Sequence, residues 1–331
     1  MPSTVSAPAF TLRAPLFDLK GTLESGQVFH WVELEQGRFR GSIDAQVYTI
    51  EQHGEMLQVT PGAAAENNAA SKASLPETHA VHATHAARVA RYFALDHPLE
   101  AIYASFPREM AMNEATAFCH GIRIIRQPAW ECLATFITSS MKQVKHIQQM
   151  SHAIRQRYGT PIGAIGEGVA LYPTAARLAG ADETGLRECG LGFRAKSLLG
   201  AARAVAEGGA DLEAIAHLPD AEALAALCRI PGVGEKIANC VLLFAYERIR
   251  AFPIDVWIDR ALRHHYFAGK RKVTPQRLAA FAASHFGPYG GYAQQYLFHH
   301  SRRQPRSTWS TPKPTRSRKT GKTAITPGTK A

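Results

Sequence analysis

Leu227-Cys228-Arg229-Ile230-Pro231-Gly232-Val233-Gly234-Glu235-Lys236 ends one helical pattern, turns tightly and opens another. Pro231 cannot continue the first helix, and Gly232 and Gly234 permit backbone angles and close backbone approach that a side chain would hinder. The second helix starts at about Glu235, so its first amides are left unpaired at the positive end of the aligned peptide dipoles. Such a terminus attracts anions, and the backbone of Gly232, Val233 and Gly234 suits a DNA phosphate. Taken alone, the turn also fits an ordinary helical corner in a protein that never meets nucleic acid.

Working outward from the turn narrows the choice. Lys236 lies in the first turn of the new helix and Cys240 one turn later on the same face, so an amine and a small polarisable side chain border one pocket. Nineteen residues beyond Lys236, within Pro253-Ile254-Asp255-Val256-Trp257, comes Asp255. Asp255 is placed to cap the helix that follows, a role worth about 1 kcal/mol that requires no chemistry.

The surrounding pattern is helical from about Pro107 onward. Pro128 to Ile137, Val144 to Tyr158, Ala195 to Ala206, Ala221 to Cys228, Glu235 to Tyr246 and Val256 to Tyr266 carry apolar residues at helical spacing, with shorter runs at Ala117 to Cys119 and Leu186 to Leu191. The N-terminal part differs. Between Gly26 and Val59, short apolar and aromatic stretches around Val28, Trp31, Phe39, Tyr48, Ile50 and Leu57 are parted by Gly37, Gly41 and Gly54, which predicts an antiparallel sheet. Residues 61–87 are Ala-rich and poor in large apolar side chains, and read as an inserted loop. The expected fold class is α+β: a β-rich unit over residues 1–106, then a two-part all-helical core over 107–300 with its helix-hairpin-helix at about 221–247.

Of the 331 residues, 38 are Lys or Arg and 27 are Asp or Glu, a net charge of +11. Location matters more than size: residues 301–331 hold nine of the bases and no acid, leaving 29 bases against 27 acids before them. That Ser, Thr and Pro-rich segment is expected to be a disordered basic tail, either a solubilising end or a salt-sensitive arm on phosphates. The five cysteines, Cys119, Cys132, Cys189, Cys228 and Cys240, are scattered and lack the close pairs that mark zinc or iron–sulfur ligands. No metal site is expected. No apolar run approaches eighteen residues and no signal core opens the chain, so neither a membrane span nor export is expected.

The block from Cys228 to Leu262 resembles the helix-hairpin-helix DNA glycosylases, whose motif ends in an aspartate matched here by Asp255. Lys236 stands where the bifunctional branch carries a lysine. Gly121-Ile122-Arg123-Ile124-Ile125-Arg126-Gln127-Pro128 with Glu131-Cys132-Leu133, Gly190-Leu191-Gly192-Phe193-Arg194-Ala195, and Leu23-Glu24-Ser25-Gly26-Gln27-Val28-Phe29-His30-Trp31 are similar to the 8-oxoguanine DNA glycosylase/lyase family. The likeness spans roughly residues 15–300 apart from the Ala-rich segment.

The resemblance implies that Lys236 attacks the sugar C1′ and forms a Schiff base, and that Asp255 stabilises positive charge developing on the sugar. It also implies that Cys240 and Phe298 sandwich an extruded base while Gln294, one helical turn before Phe298, reads its Watson–Crick edge. By the same resemblance, the carbonyl of Gly26 accepts from the N7–H that distinguishes 8-oxoguanine from guanine. Arg194 is matched to a contact with the opposite cytosine and Phe193 to a wedge in the base stack.

Departures fall on the opposite-strand side. Ser139-Ser140-Met141-Lys142-Gln143 replaces a run of asparagines, His146 replaces a second cytosine-contacting arginine, and Trp257 replaces a histidine near the phosphates. Met141 can fill space there but cannot pair with cytosine, which predicts a weak preference for the opposite base. No cofactor is expected beyond a structural monovalent cation on hairpin carbonyls. The expected partner is double-stranded DNA containing 8-oxoguanine, bound by a monomer in the bacterial cytoplasm or a eukaryotic nucleus. The alternatives are a glycosylase of the same fold for another damaged base, and a non-catalytic DNA-binding module.

Overall fold

Alternation of apolar and polar side chains builds the sheet. In β5 (Met56–Ala64) Leu57, Val59 and Pro61 are buried while Met56, Gln58 and Thr60 face outward. With β1 (Phe10–Arg13), β2 (Val32–Glu35), β3 (Arg38–Ile43) and β4 (Gln46–His53) it forms a five-stranded antiparallel sheet in the order β1-β5-β4-β3-β2. The computed structural model describes residues 8–64, 78–139, 143–162, 169–269 and 272–305. Two helices serve the sheet. From α1 (Leu19–Glu24) come Leu19 and Leu23, and from the end of α2 (Thr78–Tyr92) come Val89 and Tyr92; they share one core with Trp31, Tyr48, Ile50 and Leu57.

A larger core lies among the remaining helices. These are α3 (Leu99–Ser105), α4 (Met110–Phe118), α5 (Ala129–Ser139), α6 (Val144–Tyr158), α7 (Ala175–Ala179), α8 (Glu183–Leu186) and α9 (Arg194–Ala206). They are followed by α10 (Leu212–Ala216), α11 (Asp220–Cys228), α12 (Glu235–Phe244), α13 (Val256–Tyr266), α14 (Pro275–His285) and α15 (Gly290–Arg303). The expected α+β class is the observed one. α12 is apolar almost all round, with Ile237, Ala238 and Cys240 through Phe244 buried, as befits a helix at the centre of a bundle.

The structure departs from the sequence reading at four places. β1 and α1 precede the first expected strand, and Val28 to Trp31 runs as irregular chain, because four- and six-residue elements are too short to show a period. β5 continues through Pro61 to Ala64, and α2 occupies Thr78–Tyr92, so both ends of the expected loop are ordered elements. Alanine is the best helix former, and Val89, Tyr92 and Phe93 supply the buried anchor that the Ala-rich composition obscured. Helices also begin well before Pro107: Leu99, Ile102 and Phe106 join the larger core. Finally, α15 runs on to Arg303, inside the segment expected to be tail. Residues 306–331 lie outside the described residues.

Candidate active site

Four elements from distant parts of the chain converge on one cavity. The first is the turn after α1. Gly26 adopts φ +88°, and its neighbour Gln27 is fully buried and held from both ends: its Nε2 donates to the Arg123 carbonyl at 2.8 Å and its Oε1 accepts from the Ile125 amide at 2.7 Å. Gln127 Nε2 then donates to the Gln27 carbonyl at 2.8 Å. Three hydrogen bonds, each worth roughly 1 kcal/mol net, lock the peptide beside Gly26.

α12 contributes the lysine. The hairpin turn packs on α9, where a Cβ at Gly232 (φ +81°) would meet Ser197 Cβ at 2.5 Å, so only glycine fits there. Gly234, by contrast, has extended backbone and open space around it. No side chain caps α12, so its first amides remain available to an anion. Lys236 projects inward, its Nζ 5.1 Å from the centre of the Phe136 ring, which is stacked on Phe244 at 5.3 Å.

α13 brings Asp255 as its N-cap. Oδ1 accepts from the amides of Trp257 at 3.0 Å and Ile258 at 2.8 Å, as its sequence position predicts. α15 is fixed by its opposite face. Tyr292 and Tyr296 are fully buried, and their hydroxyls bond His97 Nδ1 at 2.8 Å and the Ile122 carbonyl at 2.7 Å. Gln294 and Phe298 consequently face the other way, into the cavity.

The cavity has a volume of about 730 Å³, within the range of roughly 300–1,000 Å³ usual for ligand pockets. Gly26, Lys236, Cys240, Asp255, Gln294 and Phe298 all line it. Burial pushes the Cys240 thiol up to about 11, against the pull of the adjacent Lys236 amine, so it stays protonated and serves as an apolar wall at neutral pH. Burial also raises the Asp255 carboxyl, opposed by its two amides, by Lys236 and by Arg302. The carboxamide oxygen of Gln294 is buried and, among the described residues, accepts no hydrogen bond. An acceptor left open in a pocket wall is costly unless a ligand donates to it.

Phe193 and Arg194 stand elsewhere, at the start of α9. Positive φ at Gly190 (+85°) and Gly192 (+58°) brings the chain round so that Phe193 is 70% exposed, with the Arg194 guanidinium 4.4 Å from its ring centre. An aromatic presented to solvent on a tight glycine turn is suited to insertion between bases. His146 is exposed on α6. Met141 lies outside the described residues.

Comparison with known proteins gives this geometry a context. Residues 10–133 match the family described as "8-oxoguanine DNA glycosylase, N-terminal domain", and residues 134–284 match "HhH-GPD superfamily base excision DNA repair protein". A solved structure of MBOgg1 in complex with a low-affinity DNA ligand is 32% identical with TM-score 0.76, covering 89% of this chain and 95% of that one. The chain belongs to the 8-oxoguanine DNA glycosylase family. The Clostridium acetobutylicum 8-oxoguanine glycosylase/lyase bound to double-stranded DNA with cytosine opposite 8-oxoguanine is 29% identical with TM-score 0.75, covering 86% and 92%. The Arabidopsis thaliana N-glycosylase/DNA lyase OGG1 is 29% identical over 84% of this chain and 75% of its own length.

Several cavity residues of this 8-oxoguanine DNA glycosylase family member escaped the sequence reading: Phe29, Phe136, Val144, Phe244 and Arg302. The phenylalanines look like core residues from sequence, and they are; one edge of that core is the pocket wall. Arg302 carried a signal, since it extends the four-residue spacing of Gln294 and Phe298, but it sat in what read as basic tail. A Cβ at Gly26 would meet Arg302 Nη1 at 2.6 Å and Phe298 Cε1 at 3.2 Å, at a φ that side chains rarely adopt. Gly26→Ala is therefore expected to lower the single-turnover rate of base release at least about tenfold by pushing these side chains into the base space. An unchanged rate would show that the wall yields freely.

Proposed function

We propose that this protein is a bifunctional DNA N-glycosylase/lyase that excises 8-oxoguanine from duplex DNA, with Lys236 as nucleophile. The observation that carries this reading is the meeting of Lys236, Cys240, Asp255, Gln294 and Phe298 around one cavity. A base in a duplex must be swung out to be reached, and the cavity offers Cys240 and Phe298 as stacking walls and Gln294 as an edge reader. The unpartnered oxygen of Gln294 suits the N1–H and amino donors of a guanine-type edge. The Gly26 carbonyl is assigned to the N7–H that the oxidised base has and guanine lacks.

In the chemistry proposed, Lys236 Nζ forms a bond to C1′ as the bond from C1′ to N9 breaks. The base leaves with the bonding pair and is protonated. The nitrogen, now an ammonium, gives a proton to the departing base; its recovered lone pair forms the protonated imine as the C1′–O4′ bond breaks, and O4′ keeps that bonding pair and takes up a proton from water. That Schiff base acidifies C2′–H, and its loss expels the 3′ phosphate. Asp255 stabilises the cationic character at C1′ during these steps.

DNA outside the pocket is met by other parts of the same surface. The uncapped N-terminus of α12 with Gly232, Val233 and Gly234 receives a backbone phosphate, and Phe193 enters the stack with Arg194 toward the opposite base. The cavity rim carries the exposed Lys145 and Arg303, which favours a polyanion. A structural monovalent cation on the carbonyls of the hairpin is part of the proposal, since the turn offers only hard, neutral oxygens. Among the described residues no group of His, Cys, Asp and Glu is placed to hold a metal, and no helix is long and apolar enough to cross a membrane. The protein acts as a monomer wherever the cell keeps its DNA, in bacterial cytoplasm or a eukaryotic nucleus.

The test is a panel of duplexes carrying 8-oxoguanine, guanine, 3-methyladenine or an abasic site. Release of free 8-oxoguanine with cleavage of the abasic strand is the expected result. Binding without product would leave a DNA-binding module, and preferential release of the alkylated base would leave a different glycosylase. On the same panel, Met141 leads us to expect activity opposite adenine within tenfold of that opposite cytosine. A larger preference for cytosine would refute the assignment of Met141 to the opposite-base contact.

A further inference from the structure

Arg302 is a cavity residue whose charge is left unused by the fold contacts it makes and by the proposed base recognition. It lies one turn beyond Phe298 on α15, its guanidinium 5.2 Å from that ring. Its Nη2 is tied down, donating to the Glu24 carbonyl at 2.8 Å and to His299 Nδ1 at 3.2 Å. Its Nη1 is buried and, among the described residues, has no acceptor. A buried guanidinium of this kind needs an anion in reach. Two carboxylates line the cavity, Glu24 and Asp255. Glu24 is already shared by Lys20 at 3.8 Å and Arg303 at 3.4 Å, which leaves Asp255.

We propose that Arg302 is a positioning residue that supplies the permanent positive charge keeping Asp255 ionised once Lys236 has given up its own. The inference rests on Lys236 being the nucleophile. An amine attacks only when neutral, so the lysine that helps hold Asp255 as a carboxylate stops doing so at the moment Asp255 is needed. Arg302 does not share that conflict. Burial lowers its guanidinium to about 10, still far above neutral pH, so it stays charged throughout.

The groups facing Asp255 are Lys236 and Cys240 from α12, the amides of Trp257 and Ile258 on its own helix, and Arg302 from α15. Glu24 and Arg303 face Arg302 itself. Burial raises the carboxyl and the two cations oppose it. With Lys236 neutral, removing Arg302 leaves only the amides against burial, so Asp255 takes up its proton at higher pH.

The experiment follows excision of 8-oxoguanine under single-turnover conditions from pH 5 to 9 in the wild type, Arg302→Lys and Arg302→Met. Arg302→Met is expected to move the acidic limb up by about one pH unit, the shift typical of losing one nearby counter-charge, while Arg302→Lys restores it and substrate affinity changes less than rate. A limb that stays in place in Arg302→Met, whether or not the rate falls uniformly, overturns the proposal. A second measurement needs no turnover. In Lys236→Met protein the Asp255 carboxyl, followed by carbon NMR, should titrate about one unit lower than in Lys236→Met/Arg302→Met. Equal titration in the two proteins overturns the proposal. Failure of the lysine assignment itself would appear separately, as a borohydride adduct that survives without Lys236.

Discussion

The Lys236→Gln protein is expected to bind lesion-bearing duplex with near wild-type affinity, yet to lose at least about a thousandfold in excision and all of its borohydride-trapped adduct. Borohydride reduces only a covalent imine between protein and DNA, so the adduct reports the amine directly. Glutamine is only about one bond shorter than lysine and can still lie against Phe136, so the pocket should hold its shape. Binding is expected to survive because the proposed phosphate contacts, the uncapped α12 terminus and the basic rim, do not involve Lys236. Circular dichroism and melting would establish that the variant is folded. An adduct of wild-type yield in Lys236→Gln would remove the lysine from the mechanism.

Asp255 caps α13 and is proposed also to stabilise charge at the sugar, and two substitutions separate the two roles. Asparagine caps helices about as well as aspartate, so Asp255→Asn should keep both amide hydrogen bonds and melt at the wild-type temperature. Its loss of charge should slow base release by roughly 10²–10³-fold, the usual size for one preorganised electrostatic contact in a dry site. Asp255→Ala should slow it similarly and also lose the cap, about 1 kcal/mol, seen as a melting point about 2 °C lower. If Asp255→Asn were as fast as the wild type, the carboxylate would be a cap and nothing more. The wild-type pH profile carries the same information. Asp255 must be ionised to act, and burial raises its carboxyl, so excision should fall as pH drops through a range higher than an exposed aspartate would give.

The site was legible in the sequence wherever residue type and local spacing specify the chemistry. Lys236 and Cys240 one turn apart and Asp255 ahead of a helical run are statements about single helices, which a sequence carries directly, whereas Gln294 and Phe298 entered through the family resemblance. Phe136 and Phe244 were not legible as pocket walls, because whether a core residue also borders a cavity depends on which helices meet. Gln27 was hidden for a related reason: its partners, Arg123 and Ile125, stand almost a hundred positions away. The sheet showed through the spacing of its longer strands, whereas β1 was too short to register. α2 was missed because alanine, the strongest helix former, also reads as linker when few large side chains accompany it. Arg302 was missed because its charge merged with the basic run that follows. The structure puts the helix end, and with it the last wall of the cavity, inside that run.

The hydrogen bond from Arg302 to the Glu24 carbonyl joins positions 278 residues apart, and the glycine it leans on belongs to the chain's early part. On the ribosome, the lysine, the aspartate and the hairpin all emerge before the helix that closes the base pocket. A partly made chain would therefore carry Lys236 and Asp255 without Gln294, Phe298 and Arg302, the side of the cavity that α15 supplies.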